Sequence, residues 1–234
     1  MKNSKAVIFD MDGVLADTEP IYMGITLDLL AKLEVPLPPE ELFEYVGIPV
    51  RQMWSEIRSR FQIHKSLAEL IRLEKDRQLQ YLRYIKQLPE VPGVRNLLEE
   101  LAQMGTFMAV ASSSSRDIVD LILSKLAIYR FFAATVSGKD VAQGKPAPEI
   151  FLKAAADLGV EPRNCIVIED SPAGIAGAKA AGMICVGFAN PNSGNLDLSG
   201  ADLIIADFSP ESRLKVKGLV SDDFLPSSED FRNG

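Results

Sequence analysis

The stretch Lys5-Ala-Val-Ile-Phe-Asp10-Met-Asp12-Gly13 decides the fold class of this chain. Its apolar run is short and continuous, which is typical of a strand buried on both faces of a parallel sheet. The run ends in two carboxylates two positions apart, so both can point the same way from the strand's end. Ligands of open α/β sheets bind at the carboxyl ends of the strands, which is where Asp10 and Asp12 fall. Gly13 then lets the chain turn sharply and lets a ligand approach the backbone.

Similar apolar runs recur along the chain and predict the other strands of a sheet. They cover residues 107–111, 165–168, 183–187 and 202–206, with a weaker candidate at 134–137. Stretches with helical periodicity alternate with them at 94–104, 118–126, 149–158 and 173–181. This alternation predicts an α/β fold with a doubly wound parallel sheet.

Residues 18–85 interrupt the alternation. After Thr18-Glu-Pro20, which is typical of a helix start, this segment has helical periodicity and no convincing strand. We therefore predict an inserted α-helical cap at residues 18–85, between residues 1–17 and 86–220 of a catalytic core. The polar residues 221–234 are expected to form a flexible tail.

The composition limits the possible partners and the compartment. Lys and Arg number 25 against 32 Asp and Glu, a formal net charge of −7, which argues against nucleic acid or an anionic membrane surface as the main partner. No apolar run approaches the length of a signal peptide's core or of a transmembrane helix. Cys165 and Cys185 lie inside apolar runs and are expected to be buried, inert thiols. We expect a cytoplasmic protein and, by default, a monomer.

A single histidine, His64, occurs in the whole sequence, and it lies in a polar stretch. A Ser-His-Asp triad or a site with several histidine ligands is therefore hard to build. Any catalysis must depend on carboxylates, hydroxyls and lysine, with or without a hard metal ion.

Three further groups of polar residues occupy positions where a site would form. Residues 112–115 are four serines after one predicted strand, and Glu169 and Asp170 follow another. Lys145 stands between Gly144 and Pro146, a rigid context that suits a fixed ammonium group. Taken alone, each group could be ordinary capping or loop chemistry. Together, carboxylates without histidine predict a Mg²⁺ site, and the lysine, hydroxyls and helix N-termini beside it predict a phosphate site.

These motifs resemble the four ordered motifs of the haloacid dehalogenase (HAD) superfamily. They are residues 10–20 (DMDGVLADTEP), the strand end at Ser112, residues 144–149 (GKPAPE) and residues 169–174 (EDSPAG). The chain is most similar to the β-phosphoglucomutase-like phosphatase branch, which has a helical cap between the first two motifs. The resemblance covers the chain except for about its last dozen residues, and implies a HAD-type Rossmann-like core with that cap.

The resemblance implies a role for each motif. Asp10 would attack phosphorus and form an aspartyl-phosphate, and Asp12 would act as general acid and then as general base. Ser112, with neighbouring backbone N–H groups, would hold the phosphoryl oxygens, and Lys145 would offset charge. Mg²⁺ would be bound by Asp10, the carbonyl of Asp12 and Asp170, with Glu169 as a further ligand or an orienting group.

The same resemblance assigns substrate recognition to the first motif, the serine run and the cap. The residues expected to contact the substrate are Gly13, Ser113, Gly47, Arg51 and Arg77. Lys75 is a further cap candidate. Arg51 is the strongest of the basic candidates because it follows a loop that could face the core.

The resulting prediction is a Mg²⁺-dependent phosphatase that acts on a small phosphorylated metabolite. The alternative is a β-phosphoglucomutase, which returns the phosphate to the substrate; Tyr22 stands where that mutase has a histidine, and this favours hydrolysis. A receiver-type signalling domain is disfavoured because such domains are about half as long as this chain. A catalytically inactive regulator is disfavoured because the acidic motifs are intact. Sugar phosphates, phosphoglycolate-like acids, 6-phosphogluconate and nucleotides all remain open as substrates.

Overall fold

A computed structural model describes residues 5–221. Its centre is a six-stranded, fully parallel sheet with the strand order β3-β2-β1-β4-β5-β6. The strands are β1 (Ala6–Phe9), β2 (Phe107–Ser112), β3 (Ala134–Ser137), β4 (Cys165–Glu169), β5 (Ile184–Phe188) and β6 (Leu203–Ile205). Every predicted strand is therefore present, and no bound differs from its prediction by more than one residue.

Nine α-helices lie within the described residues. They are α1 (Glu19–Lys32), α2 (Pro39–Leu42), α3 (Val50–Arg60), α4 (Leu67–Tyr84), α5 (Val94–Gln103), α6 (Arg116–Lys125), α7 (Glu149–Leu158), α8 (Pro172–Ala180) and α9 (Pro210–Ser221). Gly105, Gly159 and Gly182 follow α5, α7 and α8 with left-handed φ angles of 70°, 67° and 72°, a conformation that glycine commonly adopts after the end of a helix.

The sheet is buried on both faces because successive side chains of each strand point to opposite sides. Val7 and Phe9 of β1 belong to a core cluster that includes apolar residues of α5, α6 and α9. Ala6 and Ile8 belong to a second cluster that includes residues of α7 and α8. Helices thus cover both faces, and the prediction of a doubly wound α/β sheet is confirmed.

The helices α1 to α4 lie between β1 and α5 in the chain and have an apolar cluster of their own. Leu30, Trp54 and Leu70, from three of these helices, are fully or almost fully buried in it. The prediction of a helical insertion after the first strand is therefore confirmed. We refer to helices α1 to α4 as the cap. The numerical division into domains stays a prediction, and residues 222–234 of the predicted tail lie outside the described residues.

Helix α9 is a difference from the sequence prediction, which has no helix after residue 181. Its sequence PESRLKVKGLVS is mostly polar, and only Val216 and Leu219 are buried against the sheet. Two inward positions are too few for a clear amphipathic pattern. In the part of the chain that the structure covers, no helix combines the length and the apolar character needed to span a bilayer.

The strand order sets the position of the site. β2 and β3 lie on one side of β1, and β4, β5 and β6 lie on the other, so the order reverses between β1 and β4. Strands β1 and β4 pair with each other, and the last residues paired are Phe9 of β1 and Ile168 of β4. The residues that follow them, Asp10 on one strand and Glu169 and Asp170 on the other, are therefore neighbours at the point where open α/β sheets bind ligands.

Candidate active site

Lys145 joins the ends of the two central strands. Its Nζ lies 2.5 Å from Asp10 Oδ1 and 2.5 Å from Glu169 Oε1, so the ammonium bridges both carboxylates. The lysine side chain is only 6% exposed, which shields these ion pairs from water. The sequence prediction that Lys145 is a fixed ammonium beside the acidic motifs matches this geometry.

Asp170 completes a group of three buried carboxylates. One oxygen from each of Asp10, Glu169 and Asp170 can be chosen so that all three lie within 4.8 Å of one another. It is the one cluster of this kind among residues 5–221. Three carboxylates exceed one ammonium in charge, and their hard oxygen atoms are the ligands that Mg²⁺ prefers, so these residues fit a divalent cation.

The excess negative charge affects the ionisation of the cluster. Burial raises the pKa of Asp10 to about 8; Lys145 opposes this rise, and the charges of Glu169 and Asp12 add to it. Burial also raises the pKa of Asp170, with the charges of Glu169 and Asp10 adding to it. Burial alone would lower the pKa of Lys145, but the two carboxylates beside it outweigh burial and raise it. A cation at this position would restore the balance of charge.

Two glycines make room for these carboxylates. A Cβ on Gly13 would lie 2.0 Å from Asp170 Oδ2, and a Cβ on Gly174 would lie 1.8 Å from Glu169 Oε1. Gly13 also has a φ angle of 78°, which side-chain-bearing residues rarely adopt. Gly13 therefore leaves space for the carboxylate of Asp170. It is not among the residues that line the cleft described below.

Asp12 is held on both oxygens by hydroxyl groups. Thr18 Oγ1 donates to Oδ1 at 2.8 Å, and Ser114 Oγ donates to Oδ2 at 2.8 Å. Ser112 is 1% exposed; its Oγ lies 3.4 Å from Asp12 Oδ2 and accepts a bond from the backbone N–H of Ser114. Thr18 occupies the N-cap position of α1 but makes no side-chain cap bond, because its hydroxyl is directed to Asp12.

A cleft of about 620 Å³ opens between this strand edge and the cap. Its core side is lined by Asp10, Asp12, Lys145, Glu169 and Asp170 together with Ser113, Ser114 and Ser115. Its cap side includes Gly47 and Arg51, as the sequence predicts. Arg51 is exposed, and among the described residues no side chain pairs with it, so its charge is available to a ligand in the cleft.

The structure does not bring Arg77 to the cleft. Its guanidinium lies 2.6 Å from Asp28 of α1, and the residue is absent from the lining. The spacing of residues around α4 explains why Arg77 does not reach the cleft. Arg77 is two positions after Lys75, which lines the cleft, and residues two positions apart point to different sides of a helix. Lys75 does line the cleft, but its Nζ also lies 3.0 Å from Asp117 of α6.

Several polar residues around the cluster are not among the site residues predicted from sequence. Ser171 donates its N–H and its hydroxyl to Glu169 Oε2, each at 2.9 Å. Ser193 donates to Asp170 Oδ2 at 2.8 Å, and Asn190 donates to the carbonyl of Gly13 at 2.8 Å. Ser171 is adjacent to the acidic motif and could have been found from that position. Ser193 and Asn190 lie after β5, and only the strand order brings them here.

Comparison with known proteins adds an independent line of support. Residues 7–188 match the sequence model of a family described as haloacid dehalogenase-like hydrolase. The chain is 31% identical to validoxylamine A 7′-phosphate phosphatase of Streptomyces hygroscopicus subsp. limoneus, over 88% of this chain and 94% of that protein. It is 34% identical to β-phosphoglucomutase of Bacillus subtilis, over 88% of this chain and 90% of that protein.

A solved structure shares the architecture. The crystal structure of CbbY from Rhodobacter sphaeroides in complex with phosphate matches with a TM-score of 0.74 and 26% identity, covering 88% of this chain and 96% of that one. The match of the family model over most of the chain, the shared fold and the acidic cluster at the sheet's switch point agree with one another. By these observations, the chain belongs to the haloacid dehalogenase-like hydrolase family.

Proposed function

We propose that this protein is a Mg²⁺-dependent phosphatase that hydrolyses a small, sugar-like phosphate ester through a phosphorylated Asp10. The observation that carries the proposal is the cluster of Asp10, Glu169 and Asp170 around Lys145, at the floor of a cleft closed on the other side by the cap. The class of reaction is further supported by the similarity to a named phosphatase and a named phosphomutase of sugar-like phosphates.

Asp10 is the nucleophile in this proposal. Its Oδ1 is fixed by Lys145, which leaves the other carboxylate oxygen to attack phosphorus in line with the leaving group. Lys145 also lowers the energy of the transition state by offsetting negative charge on the carboxylate and the phosphoryl oxygens. Because Lys145 is held by both Asp10 and Glu169, it is oriented before the substrate arrives.

Asp12 is the general acid and base. It lies two residues beyond Asp10 and lines the same cleft, which suits protonation of the leaving oxygen and then removal of a proton from the hydrolytic water. The hydroxyls of Thr18 and Ser114 hold its carboxylate in position. Ser113 and the backbone N–H groups of the serine run are the proposed ligands of the phosphoryl oxygens.

The residues that would hold Mg²⁺ are Asp10, Asp170 and the carbonyl of Asp12, with Glu169 as an orienting group or a further ligand. Glu169 suits the orienting role, because one of its oxygens meets Lys145 and the other meets Ser171. A bound Mg²⁺ would offset the charge of the carboxylates, keep Asp10 ionised at neutral pH and polarise the phosphoryl group.

The cap supplies substrate recognition and excludes water. Arg51, exposed in the cleft and unpaired within the described residues, suits an anionic or hydroxyl-bearing part of the substrate. The cleft is large enough for a phosphorylated sugar or polyol. By their names, one relative acts on validoxylamine A 7′-phosphate and the other on a phosphoglucose. Cytoplasmic location and a monomeric state stay predictions.

The test is phosphate release from a panel of esters with and without Mg²⁺. The panel includes glucose 6-phosphate, sorbitol 6-phosphate, 6-phosphogluconate, phosphoglycolate, a nucleoside monophosphate and p-nitrophenyl phosphate. We expect Mg²⁺-dependent release from sugar or polyol phosphates, and a loss on the order of 10³-fold or more in Asp10→Asn. Asp157→Asn, an exposed carboxylate on α7, is the matched control. No release from any ester, or near-normal release by Asp10→Asn, would contradict the proposal.

A phosphomutase is the second candidate, because the identity to the Bacillus subtilis β-phosphoglucomutase is 34% over most of both chains. The two activities are separated by incubating β-glucose 1-phosphate with a trace of glucose 1,6-bisphosphate. Formation of glucose 6-phosphate with little free phosphate identifies a mutase. Release of phosphate without isomerisation identifies the hydrolase, which Tyr22 favours because it is not the histidine found in the mutase.

A further inference from the structure

Helix α1 presents one face to the cleft, and Glu19 is the acidic residue of that face. Glu19, Tyr22, Met23 and Thr26 all line the cleft, and their spacing of three and four residues places them on one side of the helix. Thr26 is already engaged, since its hydroxyl donates to Glu74. Glu19 is therefore the charged group that α1 offers to a ligand in the cleft.

The carboxylate of Glu19 is open and has no partner within residues 5–221. It accepts no hydrogen bond there and forms no ion pair. The residue is partly exposed, and both of its carboxylate oxygens are accessible to solvent, unlike Asp17 Oδ1, which is buried and also lacks a partner. An accessible acceptor that no protein donor meets is available to a ligand.

Glu19 lies beside the general acid of the proposed mechanism. It directly follows Thr18, whose hydroxyl donates to Asp12 at 2.8 Å. The charge of Asp12 also affects the pKa of Glu19 more strongly than any other charge does. Because Asp12 is proposed to protonate the leaving oxygen, the part of the substrate that meets Glu19 is the carbon chain next to the scissile ester.

The carboxyl group of Glu19 is mostly ionised above neutral pH. Burial raises the pKa of Glu19 to about 7, and the charges of Asp12 and Asp17 add to this rise. At about pH 8 the group is therefore a negatively charged acceptor without a proton to donate. Such a group binds O–H donors and repels a second negative charge placed against it.

We infer that Glu19 accepts hydrogen bonds from substrate hydroxyls next to the scissile ester and excludes a carboxylate from that position. This inference rests on the proposed function and narrows its substrate class to esters that are neutral and hydroxylated beside the phosphate, which disfavours phosphoglycolate-like acids. A carboxylate farther along the substrate is not excluded, because Arg51 on the cap side of the cleft is available to an anion. Glu19 is thus a specificity-determining residue.

Two matched pairs of esters test this inference at about pH 8. Glycerol 2-phosphate and 2-phosphoglycerate differ only in having a hydroxymethyl group or a carboxylate on the carbon that carries the ester. Sorbitol 6-phosphate and 6-phosphogluconate differ in the same way at the far end of the chain. We expect the wild type to prefer glycerol 2-phosphate over 2-phosphoglycerate in kcat/KM. In Glu19→Gln this preference should fall about tenfold or more, while the preference within the sorbitol pair changes less than about twofold.

Glu40→Gln is the matched control, because Glu40 is an exposed carboxylate on α2 and lies outside the cleft lining. It makes the same change in net charge and should alter neither preference. Each preference compares two substrates of one protein preparation, so any loss of folded protein in Glu19→Gln cancels.

The inference is overturned if the preference within the glycerol pair is unchanged in Glu19→Gln, or if both pairs change equally. It is also overturned if the wild type hydrolyses sorbitol 6-phosphate but not glycerol 2-phosphate, since the hydroxyl beside the ester is what Glu19 is inferred to bind. If the wild type releases phosphate from neither pair nor from any other ester of the panel, the proposed function itself fails.

Discussion

The strand edge of the core and the interior of the cap both bury carboxylates, but they satisfy them in different ways. Glu74 of α4 is 3% exposed and forms no ion pair within residues 5–221. Thr26 of α1 donates to one of its oxygens at 2.8 Å, and Trp54 of α3 donates to the other at 2.6 Å. At the strand edge, three carboxylates lie close together and one ammonium, that of Lys145, pairs with two of them, Asp10 and Glu169.

The difference lies in charge, and not in burial. Glu74 has a neutral donor for each oxygen, so it forms a closed network that joins three cap helices. The cluster at the strand edge has hydrogen bonds too, but its negative charges exceed its positive charge, and either a bound cation or the uptake of protons must offset the excess. Glu74 and Thr26 also line the cleft, so it is excess charge, and not position, that distinguishes the cluster at the strand edge from the cap network. The two regions are therefore expected to respond differently to substitution, to Mg²⁺ and to pH.

The largest expected effect comes from opening the cap network. Glu74→Leu leaves the buried N–H of Trp54 and hydroxyl of Thr26 without an acceptor, and we expect a loss of about 3 kcal/mol in the free energy of unfolding. Glu74→Gln is the matched control, because its amide can accept from Trp54 and donate to Thr26, and should cost less than about 1 kcal/mol. Urea unfolding of both variants measures the difference; equal losses would show that the hydrogen bonds at Glu74 do not join the helices.

A smaller effect is expected from Mg²⁺, and it should be confined to the strand edge. At ten times its dissociation constant, a ligand that binds only the folded state stabilises it by about 1.4 kcal/mol. We expect Mg²⁺ to raise the melting temperature of the wild type and of Glu74→Gln alike, but to have little effect on Asp170→Asn.

The metal-free proteins supply the control for this comparison. Asp170→Asn removes one of the excess charges and keeps an oxygen to accept from Ser193, so without Mg²⁺ it should be at least as stable as the wild type. NaCl at the same ionic strength as the magnesium salt corrects for screening. Full stabilisation of Asp170→Asn by Mg²⁺ would mean that the cation does not bind at this cluster.

The contrast between the regions also explains which features could be predicted from sequence. The strand edge is predictable because Asp10, Asp12, Glu169 and Asp170 directly follow apolar runs, and parallel strands end at one edge whatever their order. Lys145 is predictable because its Gly and Pro neighbours mark a rigid loop. The sequence could not give the contacts of Ser193 and Asn190, which depend on β5 being next to β4.

The cap network could not be predicted, because a glutamate in a helix with many charged residues is expected to face water. Glu74 is buried only because Thr26 and Trp54, 48 and 20 residues away, supply its donors. The same limit applies to Arg51 and Arg77. Both are basic residues on cap helices, and the packing of those helices decides that Arg51 faces the cleft while Arg77 pairs with Asp28.

The smallest effect concerns pH and isolates the charge on Glu74. Burial raises the pKa of Glu74 above its ordinary value, against the lowering effect of the bonds from Trp54 and Thr26. The folded protein therefore holds this proton more tightly than the unfolded chain does. The stability contributed by the protonated group is complete below the unfolded pKa and is lost as pH rises through the folded pKa.

Glu74→Gln lacks this titration and provides the reference. As pH rises from about 4 to about 8, the melting temperature of the wild type should fall relative to that of Glu74→Gln. The reason is that only the wild type acquires a buried charge at position 74. Asp10 and Asp170 also have raised pKa values, but both proteins contain them, so their contributions cancel in the difference. If the difference in melting temperature stays constant with pH, Glu74 ionises as easily in the folded cap as in the unfolded chain. The cap network and the strand-edge cluster would then differ only in their number of charges.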